Sequence, residues 1–179
     1  MAESQTARNW AGQMAYVFIC LVIIFAQLLP LSTEPQRFAA PDMMVALTVT
    51  WVVRRPDLVP VPMIATLFLL SDFLSFRPPG LWTLLMLITT EILRRRAVDM
   101  RSLAFPTEWL TITAAIAGLF IAYRAAVMIF LLPQEPLIPT LWQMTATVLV
   151  IPFVAVISHY FLGVSRPGLG EIDEMGRRL

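Results

Sequence analysis

TLFLLSDFLSFRPPG, residues 66–80, sets one carboxylate, Asp72, inside an apolar run made by Leu69, Leu70, Phe73 and Leu74. A charged side chain at mid-bilayer costs about 2.5–3.5 kcal/mol on insertion scales. Such a segment either stays out of lipid or gives its acid a partner or a task. The rest of the chain decides for lipid. Of 179 residues, 58% are hydrophobic and 14% charged, and the mean hydropathy is +0.75. Soluble domains carry about 45–50% apolar and about 25% charged residues. The sequence therefore predicts an all-α integral membrane protein, with residues 1–179 forming a single transmembrane domain.

Six apolar segments can be drawn, over about 14–31, 42–53, 59–76, 81–93, 107–132 and 139–164, with a polar tail at 165–179. The first, MAYVFICLVIIFAQLLPL, is long for a signal peptide, and QLLPLSTEP after it lacks a small-x-small cleavage pattern; it reads as a retained helix. The second is short for a full crossing. Segments two and three, and three and four, are separated by only a few residues, which predicts antiparallel hairpins. Pro152 falls inside segment six, where it removes a helical hydrogen bond and predicts a kink.

Orientation follows from arginine, because the chain has no lysine. With six crossings and a cytoplasmic N-terminus, the inner side holds Arg8, Arg54, Arg55, Arg94, Arg95, Arg96, Arg101, Arg166, Arg177 and Arg178, and the outer side only Arg37 and Arg77. That asymmetry predicts both termini on the cytoplasmic side of the membrane. Trp10, Trp51, Trp82, Trp109 and Trp142 fall near segment ends, where an interfacial belt is expected.

In this topology Asp72 and Arg124 lie at similar depth in the outer halves of segments three and five. A paired carboxylate and guanidinium is the least costly way to hold both there. The pair is either a helix-packing device, a polar hotspot for a partner, or part of a proton relay. Glu91 stands at helical spacing from Arg94 and Arg95 and is expected to pair with one of them. Asp42 and Glu108 sit in first helical turns, as caps do. Ala114, Gly118, Ala122 and Ala126 recur every fourth residue, a row that permits close helix approach within the bundle or to a partner helix. Arg124 projects from a different face. The basic turns Arg54–Arg55 and Arg94–Arg96 obey the topology rule or attract anionic lipid.

Little in the chain points to catalysis. Without lysine there is no P-loop, Schiff base or Ser–Lys dyad. The single Cys20 and single His159 make no metal cluster, and Ser158 beside His159 diverges from it by about 100° on a helix. No cofactor, metal or catalytic residue is assigned, and the net charge of +1 gives no argument for nucleic acid.

The order of features resembles one family. A first helix ends in LLP (28–30), Pro41 opens a second helix containing Trp51, and a hairpin leads to an apolar helix ending in SDFLSFRPPGLW (71–82). A basic patch follows the fourth helix. This is similar to the MreD family of rod shape-determining proteins, whose hallmark is an apolar third helix ending in an Asp, a short loop with a Gly, and another apolar helix; here those are Asp72 and Gly80. Glycines often precede that Asp in the family, whereas PMIATLFLLSD (62–72) has none. The resemblance implies a fold like the six-helix substrate-binding subunit of energy-coupling-factor transporters. It also implies a non-enzymatic scaffold that binds MreC and links MreB filaments to RodA and a class B penicillin-binding protein in lateral peptidoglycan synthesis. The competing expectation is a solute-binding subunit of an energy-coupling-factor-type transporter.

Overall fold

The computed structural model describes residues 2–29, 40–100, 105–134 and 136–162. The tail 165–179, with Arg166, Arg177 and Arg178, lies outside the described residues, as do Arg37 and Arg101. Among the described residues the regular structure is entirely helical: α1 (Ala2–Leu28), α2 (Met43–Arg54), a 3-10 turn (Pro56–Leu58), α3 (Val61–Leu74), α4 (Leu81–Met100), α5 (Phe105–Ile129) and α6 (Leu137–Leu162). Two helices outrun their apolar segments. α1 begins well before Met14, and α4 continues through Arg94–Arg96, because polar residues propagate a helix as readily as apolar ones.

Asn9–Leu28, Phe105–Ile129 and Leu137–Tyr160 are long and apolar enough to cross a membrane. The 12-residue α2 and 14-residue α3 are shorter apolar helices. At 1.5 Å per residue they reach about 18 and 21 Å, against about 30 Å of hydrocarbon. α4 opens apolar but carries Glu91 and three arginines in its second half.

α2 is the axis of the bundle. Every residue from Met44 to Val53 is buried, the condition of a helix that is hydrophobic all round. It packs against α1, α4 and α6, while α3 bridges α1 to α4 and α5 bridges α4 to α6. The side-chain polar groups of Thr48, Thr50 and Trp51 are bonded within the protein, as an apolar surrounding demands. Thr48 Oγ1 lies 2.6 Å from the Met44 carbonyl oxygen and donates to it, so Tyr16 Oη, 2.8 Å away, is the donor to Thr48. The Asp42 carboxylate accepts from Val45 N–H at 3.0 Å, the cap expected from its position, and its own N–H donates to Thr147 Oγ1 on α6.

Trp51 corrects the expected aromatic belt. It is fully buried, its Nε1–H donates 2.9 Å to Ser158 Oγ on α6, and its ring meets Tyr16 at 5.7 Å. Trp82 is buried too, and Trp109 donates to the Val148 carbonyl; Trp10 and Trp142 are the exposed indoles. A tryptophan near the end of an encircled helix faces protein, not headgroups. Trp51→Phe keeps most of the packing and leaves a buried hydroxyl with one partner fewer. We expect a loss of about 1 kcal/mol, read as a lower midpoint of thermal unfolding in detergent; an unchanged midpoint would contradict this role.

Candidate functional site

The two ends of the bundle differ in chemistry. At one end the Asp72 carboxylate is fully buried and turned onto the start of α4. Its Oδ2 accepts from Gly80 N–H (3.0 Å), Thr83 N–H (3.2 Å) and Thr83 Oγ1–H (2.8 Å). A carboxylate there satisfies donors that a helix start leaves open and meets the positive end of its dipole. Gly80 permits the approach, with φ +84° in the region that disfavours other side chains. Arg124 is not among the hydrogen-bond partners of Asp72. The expected Asp72–Arg124 contact is therefore corrected: amides eight and eleven residues along the chain hold Oδ2, Oδ1 is buried without a hydrogen bond, and similar depth did not mean a shared face.

Arg124 instead lines a cavity of about 320 Å³ beside that turn, together with Arg77, Trp82, Tyr123, Gln134 and Gln143. The Arg77 guanidinium lies 5.2 Å from the Trp82 ring centroid, a cation–π geometry, and Tyr123 meets the same indole edge-on at 5.0 Å. Two helix ends frame the cavity. α3 closes with Arg77 N–H on the Asp72 carbonyl and α5 with Leu132 N–H on the Val127 carbonyl. Both are Schellman closures with a left-handed residue, a position that favours glycine. Here the residues are Phe76 and Leu131, each at φ 53° and 98% and 92% exposed.

The opposite end holds the basic turns. Arg94 donates to the Pro56 and Val59 carbonyls at 2.8 and 2.6 Å, clamping the 3-10 turn. Burial pulls its guanidinium below the ordinary arginine value, against the opposing pull of Glu91 and Asp57. Arg55 pairs with Asp57 at 2.7 Å and reaches Asn9 of α1. Arg54 Nε lies 3.4 Å from Oε1 of Glu108, which is 1% exposed, and Arg54 Nη1 approaches the Ala155 carbonyl of α6. Glu108 thus serves as an interhelix anion, a partnership the sequence reading missed. Glu91 bonds Arg95 at 2.9 Å as its spacing predicted. Arg54, Arg55 and Arg94 are engaged in the fold; only Arg95 and Arg96 of the basic turns are exposed.

The small-residue row faces outward. Ala114, Gly118 and Ala122 line a groove of about 340 Å³ between α4 and α5, walled by Leu85, Ile88 and Ile92. A Cβ built on Gly118 would meet nothing within 4 Å, so at Gly118 no described helix uses the close approach the row offers. Ala126 continues the row. Arg124 lines the other cavity, on a different face, as expected.

Ser158 and His159 diverge: Ser158 is buried on Trp51, and His159 is exposed against Tyr160. Among the described residues no three His, Cys, Asp or Glu side chains gather into a metal-binding group. No family model, no curated protein and no solved structure matches the chain, so the reading of the site stands on its geometry.

Proposed function

We propose that the chain is a non-enzymatic, six-pass scaffold of the MreD type in the bacterial inner membrane, with both termini on the arginine-rich cytoplasmic side. In this reading it holds the transmembrane helix of MreC and, directly or through it, couples MreB filaments to RodA and a class B penicillin-binding protein. The observation that carries the reading is the outward small-residue row in the α4–α5 groove. Where lipid supplies no hydrophobic drive between helices, such rows associate helices by close backbone packing. The hydrogen bond that joins Asp72 to Gly80 supports it further, since these residues carry the resemblance. The described starts of α1 and α5 and the end of α6 meet the basic turns through Asn9, Glu108 and Ala155, an arrangement that fits both termini on one side.

The test is co-purification with tagged MreC. The wild-type chain should be recovered with MreC in mild detergent. Gly118→Leu, which fills the groove without touching the core, should reduce recovery about tenfold, the equivalent of about 1.4 kcal/mol, with unchanged thermal unfolding. Recovery of the wild-type chain without MreC, or undiminished recovery of the variant, would remove the proposal. The cavity beside the α3–α4 turn favours a second reading, a solute-binding subunit of an energy-coupling-factor-type transporter; recovery of a bound small solute in place of MreC would select it.

A further inference from the structure

Among the described residues cations are scarce at the end of the bundle that carries the α3–α4 turn, yet Arg77 and Arg124 line one cavity there. The charge asymmetry that accounts for the basic turns at the other end gives no reason for these two. An ionisable residue in an apolar helix, as Arg124 is in the last two turns of α5, marks a functional site by default. Among the described residues lining the cavity there is no carboxylate; the nearest acid described above, Asp72, is turned onto Gly80 and Thr83. Gln134, Gln143 and Thr140 add uncharged donors to the same wall. Arg124 also makes an interaction within the chain, so a ligand would share it.

We propose that this cavity binds a phosphate group, taken from the surface at that end of the bundle. Guanidinium forks match the geometry of phosphate oxygens, and two of them with amide and hydroxyl donors suit an anion of three or more oxygens better than a carboxylate. The indole of Trp82 holds the Arg77 guanidinium by its face, which leaves the N–H edge of the fork for an anion. Phe76, which lines the cavity, and Leu131, one residue from the Leu132 closure, are held exposed in a strained backbone region. Strain of that kind gathers at binding sites, and an apolar rim beside a cationic pocket accommodates a phosphate that carries acyl chains. The proposal concerns one end of the bundle and holds whichever partner the whole protein takes.

The experiment uses the purified full chain in two arms. In detergent, tryptophan fluorescence is followed against sodium phosphate and against sodium acetate at constant ionic strength. In nanodiscs of phosphatidylglycerol, native mass spectrometry counts retained lipid. Saturable binding of phosphate in the first arm identifies a soluble source, and a retained phosphatidylglycerol without it identifies a lipid headgroup; either supports the site. Arg77→Gln and Arg124→Gln should each weaken the response about tenfold, the scale of one charged hydrogen bond. Should Arg124→Gln fail to fold, Arg77→Gln at the surface turn decides alone. No binding in either arm, an equal response to acetate, or binding undiminished in a folded Arg77→Gln protein would each overturn the assignment. Loss of MreC co-purification bears on the scaffold reading alone, so the two fail separately.

Discussion

Replacing Glu108 by alanine is expected to destabilise the protein by about 3–5 kcal/mol, the range for removing one partner of a buried ion pair. Arg54 is then left largely buried with its Nε close to no acceptor: even in the intact protein that atom has no hydrogen bond of good geometry, only the carboxylate at 3.4 Å. The pair ties the end of α2 to the start of α5, and through the Ala155 carbonyl to α6. Arg54→Ala should be similarly costly. The double replacement Arg54→Met with Glu108→Leu should recover most of the loss, because apolar residues of similar volume often equal or exceed a buried pair in stability. Thermal unfolding in detergent measures all four proteins. Equal losses for the double and the sum of the singles would show that the two side chains act independently.

Asp72→Ala should come next, at about 3 kcal/mol, since it strands the Gly80 and Thr83 amides at the start of α4 and removes hydrogen bonds to a charged acceptor. Asp72→Asn should cost less, about 1–2 kcal/mol, because the amide oxygen can still accept where Oδ2 does now. Intact MreC binding by a folded Asp72→Asn protein would place the acid in the architecture of the turn. A wild-type melting temperature for Asp72→Ala would contradict the capping role.

The helices were legible because apolar length and breakers mark them. Pro78–Pro79–Gly80 fixed the start of α4, and Asp42 three residues before Val45 announced the cap of α2. The Glu91–Arg95 pair was legible for the same reason, being one helical turn apart. Arg54–Glu108 was not, since it depends on which helix lies beside α2, and one chain carries no record of neighbours. Asp72 was misread differently. A search for an opposite charge at equal depth overlooked that backbone amides at a helix start hold a carboxylate as well. The local signal was present, in Gly80 and Thr83 immediately flanking the start of α4. Trp51 was misplaced because the belt rule assumes that a helix end meets lipid.

The encirclement of α2 also constrains how the protein is made. Ribosomes deliver α2 early and α6 last among the described helices, yet the indole of Trp51 finds its acceptor on Ser158 and the amide of Asp42 finds its own on Thr147. Until that final helix arrives, α2 waits with unmet donors and an open flank. Maturation therefore closes from the carboxy-terminal side, and a chain interrupted before residue 137 would present to quality control the very surface that the finished bundle hides.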